Sequence, residues 1–145
     1  MKAKWSIIFS VCLLCSIQAV SQTTTEMVYL DALMKSTSQD KSAYKLELTK
    51  IGGEVFNGTI YDFGGEIKAT GRYIKVNKRV LEDGHFVYYF ANGQIESEGE
   101  FDRGVKVGNW KRYDPTGKRK ADRYYPVESA NKIREAMELE KNEDE

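Results

Sequence analysis

Gly84-His85-Phe86-Val87-Tyr88-Tyr89-Phe90-Ala91-Asn92-Gly93 returns in outline 24 residues later as Gly108-Asn109-Trp110-Lys111-Arg112-Tyr113-Asp114-Pro115-Thr116-Gly117. Glycine, aromatic, aromatic and glycine recur in register: Gly84 with Gly108, Phe86 with Trp110, Tyr89 with Tyr113, Gly93 with Gly117. A fixed period of this length marks an array of one small supersecondary unit, each copy needing its neighbours to bury its apolar face. Going backward, a shift of 28 places Gly65, Gly71 and Tyr73 under Gly93, Gly99 and Phe101, so the first copy carries a four-residue insertion. Going forward, Phe101 is matched by Tyr125 but Gly99 by Arg123, the divergence expected of a terminal repeat.

The turns define the unit. Gly64-Gly65, Asn92-Gly93 and Thr116-Gly117 occupy one repeat position, and such pairs accept the positive φ of tight hairpins. Asp102-Arg103-Gly104 gives a second turn between them. The predicted fold is therefore mainly β, an elongated antiparallel meander with strands near 65–75, 84–91, 94–102, 107–114 and 118–125. The first copy has Ile74-Lys75-Val76-Asn77 and no glycine between Tyr73 and Gly84, which leaves its second hairpin undefined. Side chains alternate faces along a strand, so Phe86, Tyr88 and Phe90 share one side and Val87 and Tyr89 the other. The even period turns Trp110 the way Phe86 points. The recurring positions Gly65, Gly71, Tyr73, Phe86, Tyr89, Gly93, Gly99, Phe101, Gly108 and Gly117 read first as the packing code of the repeat, and a ligand-stacking stripe is the alternative.

The chain divides into four regions. Residues 1–21 combine Lys2 and Lys4, an apolar run from Trp5 to Ile17 and Ala19-Val20-Ser21, the pattern of a secretory signal cut before Gln22; the run is too short to span a bilayer. Residues 22–63 form lead-in strands. Met27-Val28-Tyr29-Leu30 is a short strand, residues 35–42 a loop, and Tyr44, Leu46 and Leu48 alternate with polar residues as in a half-buried strand. A further strand over 54–63 carries Gly58 as a bulge candidate. Residues 64–125 are the repeat sheet. Beyond Pro126 the spacing of Val127, Ala130, Ile133 or Arg134, and Met137 turns helical. A helix from Val127 to about Lys141 is expected to cover the open edge of the last strand, ahead of an acidic tail within 126–145.

Composition narrows the chemistry. Both cysteines, Cys12 and Cys15, lie in the signal segment, so a mature chain would have no thiol or cysteine-metal chemistry. Losing Lys2 and Lys4 from 22 basic and 22 acidic residues leaves two more acids than bases, a balance that implies no nucleic-acid partner. His85 is the one histidine, and its repeat counterpart is Asn109, which reads as a polar filler rather than a general base. Glu96, Glu98 and Glu100 read as a solvated strand face. No catalytic triad, phosphate-cradling loop, metal set or cofactor fingerprint is present in the sequence. The sharpest asymmetry is basic: residues 102–127 hold Arg103, Lys106, Lys111, Arg112, Lys118, Arg119, Lys120 and Arg123 against three aspartates. With Trp110, Tyr113, Tyr124 and Tyr125 interleaved, this patch suits an anionic lipid headgroup, a glycan or polymer, or an acidic protein, unless the acidic helix neutralises it. Trp110, Lys111, Arg112 and Tyr113 are the contact candidates.

Gly-Glu-Phe-Asp-Arg-Gly (99–104), Gly-Asn-Trp-Lys-Arg-Tyr (108–113) and Asn-Gly-Gln-Ile-Glu-Ser-Glu-Gly (92–99) resemble MORN repeats, the membrane occupation and recognition nexus type, in the variant of the YwqK-like antitoxin family. The resemblance covers roughly residues 58–120. The lead-in is similar to that of secreted members from Bacteroidetes-type bacteria, with Tyr29-Leu30-Asp31 and Ala43-Tyr44 in the first strands. It implies a curved antiparallel sheet that binds a protein partner, or in some members lipid, without catalysis. The expected function is thus that of an exported, non-enzymatic binding or scaffold module of the periplasm or cell surface. An antitoxin- or immunity-like inhibitor and a peripheral binder of anionic lipid are the alternatives.

Overall fold

The strand order is the chain order. In a computed structural model that describes residues 23–143, eight strands form one antiparallel sheet in which each pairs only with its sequence neighbours. They are β1 (Thr25–Leu30), β2 (Tyr44–Gly52), β3 (Val55–Asp62), β4 (Ile67–Val76), β5 (Arg79–Tyr89), β6 (Ile95–Asp102), β7 (Val105–Tyr113) and β8 (Arg119–Tyr125), followed by helix α1 (Val127–Glu143). The expected meander with a C-terminal helix is the observed fold. The signal segment over 1–21 and the last two acidic residues lie outside the described residues.

The three glycine turns are alike, but not as glycine pairs. Only the second member, Gly65, Gly93 or Gly117, takes a positive φ, and its N–H donates to the carbonyl of Asp62, Phe90 or Asp114 three residues earlier. This is the longer hairpin loop with a left-handed residue before the returning strand. The short turns differ. Arg103 and Gly104 both have positive φ, as do Asn77 and Lys78 (49° and 66°), the signature of a two-residue type I′ turn. The second hairpin of the first copy therefore exists without glycine, and β5 starts at Arg79, earlier than residue 84. Lys78 holds the position that glycine prefers. Lys78→Gly should raise stability by up to about 1 kcal/mol, because a left-handed non-glycine residue costs about that much. A urea midpoint that falls instead would show that the Lys78 side chain contributes more than its backbone costs.

One sheet face, the inner one, is apolar. Leu46, Leu48, Phe56, Ile60, Ala69, Tyr73, Phe86, Phe101 and Trp110 are buried there. Their rings form a ladder: Tyr73 to Phe86 at 5.1 Å, Phe86 to Phe101 at 4.9 Å, Phe101 to Trp110 at 5.3 Å and Trp110 to Tyr125 at 6.1 Å between centroids. Edge-to-face contacts of this kind are favoured by the ring quadrupoles. Phe86 and Trp110 share a face, as the parity of the repeat predicts.

Glycines make room for the rings. A Cβ on Gly58 would lie 2.2 Å from the Tyr73 ring, one on Gly71 2.4 Å from the Phe86 ring and one on Gly99 2.4 Å from the Trp110 ring. Each aromatic thus lies flat over the backbone of the preceding strand. Gly58 is not a bulge; the β3–β4 register shifts at Ile60 and Tyr61 instead. Within the repeat the register shifts between Tyr88 and Tyr89 and between Trp110 and Arg112, and two further bulges lie around Gly84 and Gly108. There Gly71 and Tyr73 oppose Phe86 and Glu82, and Glu98 and Glu100 oppose Lys111 and Val107, with left-handed glycine at both sites.

Helix α1 does not run along the edge of β8. It packs mainly on β7, Ala130 is buried, and Arg134 reaches the end of β6, donating to the Asp102 carboxylate and carbonyl at 2.9 and 3.2 Å. Ala130 and Arg134 are four residues apart and so share a helix face. That pair seats the helix against the sheet, and β8 stays exposed over residues 119–124.

Candidate functional site

The four contact candidates do not share a surface. Trp110 is 1 % exposed, its indole N–H donates to the Glu100 carbonyl at 3.2 Å, and it belongs to the core. Lys111 and Tyr113 alternate with it onto the outer face, where the Lys111 ammonium and the Tyr113 hydroxyl donate to the same Glu98 oxygen at 3.2 and 3.0 Å. Arg112 returns to the inner face, directly opposite Ser97 on one side and Lys120 on the other. Consecutive strand residues cannot form one patch, because the period of two sends them to opposite sides.

On the outer face Glu98 is the hub. His85 lies between two carboxylates, its Nδ1 at 3.1 Å from Glu100 and its Nε2 at 3.7 Å from Glu98. His85 stands directly opposite Glu100 across the β5–β6 hairpin, a meeting that could have been counted from the Asn92-Gly93 turn; only the arrival of Lys111 at Glu98 depends on the Gly108 bulge. Tyr89 is on the same face, within hydrogen-bond distance of Thr70. The His85 site is open to solvent, and among the described residues no group of three or more His, Cys, Asp or Glu could hold a metal ion. The Lys111 and Tyr113 hydrogen bonds outweigh partial burial and hold the Glu98 carboxyl below its usual 4.5. A lowered carboxyl pKa stabilises the fold above the unfolded value, and that contribution is lost as pH falls through the folded one. Wild type should therefore exceed Glu98→Gln in urea stability at neutral pH, with the gap closing below pH 4.5. A gap that persists in acid would mean that Glu98 acts through packing.

The inner face holds a cation in an aromatic enclosure. The Lys106 ammonium is 4.0 Å from the Trp110 ring centroid, 5.0 Å from Tyr88, 5.8 Å from Phe101 and 5.9 Å from Tyr125. Burial pushes the Lys106 ammonium below its ordinary range, while the ring faces return part of that cost. Its counterpart one repeat earlier is Glu82, whose carboxyl burial pushes up. Beside Glu82 the inner face opens into a cleft of about 1530 Å³, walled by Val28, Val80 and Leu81 and rimmed by Lys78, Arg79 and Arg103. Lys75 and Glu26 pair across it.

The basic run of 102–127 is divided between the faces. Arg119 pairs with Asp122 on the outer face at 2.9 Å, and Asn109 supports the same carboxylate. Arg112, Lys120 and Arg123 belong to the inner face by register with Ser97, Arg112 and Trp110 respectively, and they make no ion pair among the described residues.

Compared with models of protein families, with curated proteins and with solved structures, the chain matches none. The fold and these surfaces are thus the basis for any functional reading. No described helix is long and apolar enough to cross a membrane.

Proposed function

We propose that this chain is an exported, non-enzymatic, MORN-like repeat protein that binds another protein in the cell envelope. The observation that carries the proposal is the separation of its aromatic ladder from its charged surfaces. The rings are spent on holding strands together, and the sheet presents an inner cleft, an outer polar face and an uncovered edge strand. Open, extended surfaces of this kind suit macromolecules better than small substrates, which take enclosed pockets. The basic signal segment followed by an apolar run supports export, and the glycine and aromatic register supports the MORN-like reading.

The test is affinity capture with the chain as its own organism processes it, from envelope and secreted fractions. One protein retained by wild type and lost by a folded surface variant supports the module. Capture of a toxin would make the protein an immunity-like inhibitor. Lipid binding has a specific observation in its favour, the three inner-face cations; binding to anionic vesicles with no protein retained would replace the leading reading.

A further inference from the structure

The two open edges of the sheet are not equivalent. At β1 the chain turns back after Leu30, and the Thr37 N–H donates to the outward Tyr29 carbonyl at 2.9 Å, while Leu30 bridges to Ser36. That loop caps one end of a strand only six residues long. At β8 nothing comparable occurs among the described residues. The strand order ends there, the helix that follows packs on β7, and Arg119 to Tyr124 are all exposed. A row of backbone N–H and C=O groups therefore has no strand partner, the condition under which an extended segment can add to a sheet.

The charges beside that edge select what can add. Arg112 on β7 and Lys120 on β8 are direct cross-strand partners, and like charges so placed repel each other. Arg123 follows on the same face, opposite Trp110, and its charge adds to the cost of the half-buried Lys106 ammonium. Several other cations of the sheet do have carboxylate partners: Arg119 with Asp122, Lys111 with Glu98, Arg72 with Asp83, Lys68 with Asp62. Two like charges set directly opposite each other beside an uncovered edge, with no carboxylate paired to either among the described residues, are a local conflict of the sort found at functional positions.

We infer that β8 is a docking edge for an extended acidic segment of a partner protein, which pairs with the strand backbone and sets carboxylates against Arg112, Lys120 and Arg123. This rests on the protein-binding reading above and specifies where and by what chemistry the partner is held. A second copy of β8 is excluded as occupant by the same charges, since two such edges would repel. Tyr124, 66 % exposed on the opposite face of the strand, gives the added strand an aromatic neighbour on its other side.

The probe is an alternating glutamate–threonine octapeptide, titrated against the full chain by fluorescence anisotropy. It is compared with the lysine–threonine peptide, with the same acidic peptide N-methylated on alternate backbone nitrogens, and with phosphatidylglycerol vesicles. Binding of the acidic peptide alone is expected, weakened about tenfold or more by Lys120→Glu with Arg123→Glu, and by raised salt. Circular dichroism and a urea curve on the double variant confirm that its sheet is intact; Lys120→Gln with Arg123→Gln, which removes charge without reversing it, gives an intermediate loss. Equal affinity for the N-methylated peptide would overturn strand addition, and affinity for vesicles alone would overturn a protein partner. If capture from the envelope retains a protein that the double variant holds equally well, the binding-module reading survives and this edge is not its site.

Discussion

Replacing Trp110 with alanine is expected to remove about 3–5 kcal/mol of stability, the largest loss available from one side chain in this sheet. The ring touches the ladder on both sides, with Phe101 at 5.3 Å and 88° and Tyr125 at 6.1 Å and 75°. It lies over Gly99, which has no side chain to fall into the space. A cavity left above a glycine cannot collapse, which places the cost toward the upper end for aromatic truncations. The variant also takes from Lys106 its nearest ring face, 4.0 Å away, and leaves the Glu100 carbonyl without the indole donor. Chemical denaturation should show a large drop in midpoint with an unchanged slope, and Trp110→Phe should recover part of it. A loss below about 1 kcal/mol, the size of a surface change, would mean that the ladder is not what holds β6, β7 and β8 together.

The second large effect comes from adding a single methyl group. In Gly71→Ala the new Cβ would lie 2.4 Å from Cδ2 and Cε2 of Phe86. That ring is fully buried and wedged between Tyr73 at 5.1 Å and Phe101 at 4.9 Å, so it has no direction in which to yield. Overpacking of this kind costs about 1–3 kcal/mol and occasionally more, against the roughly 0.5–1 kcal/mol that alanine gains over glycine within a strand. Phe86→Leu should be costly alone and less so in the Gly71→Ala background, because the smaller side chain makes room for the methyl. A double-mutant cycle should return a coupling of about 1 kcal/mol or more. Strict additivity would show that ring and glycine are independent, and that the pairing of aromatic with glycine is not what fixes the packing of the repeat.

Fold and surface were legible to different depths for physical reasons. The meander could be read because glycines and rings that touch each other recur at fixed spacing, and because each loop within the repeat is short enough to force antiparallel neighbours. The Asn77-Lys78 turn escaped notice because it achieves left-handed geometry without glycine. Helix α1 was recognised by its period, but its seat depends on one long-range pair, Arg134 with Asp102, which no local pattern encodes. Among the contact candidates the residue types drew attention to Trp110, yet the alternation of faces already separates it from Lys111 and Tyr113. The pairing of Arg112 with Lys120 could have been counted from the Thr116-Gly117 turn. The meeting of Glu98 with Lys111 could not, since the Gly108 bulge offsets the register by two residues.

Because every described strand pairs only with its neighbour in sequence, no contact among the described residues staples the first strand to the last. Such a sheet has little loop-closure entropy to overcome and should fold quickly for an all-β protein, but it also lacks the closure that makes a barrel melt as one body. Amide exchange should therefore be graded, slowest near β4 and β5 where the ring ladder begins and neighbours lie on both sides, and faster toward β8. The protein can lose its end strand reversibly while its centre stays ordered. Whatever docks at that end would act as a missing ninth rung, and its arrival would be felt as slower exchange in β8 before any change in shape.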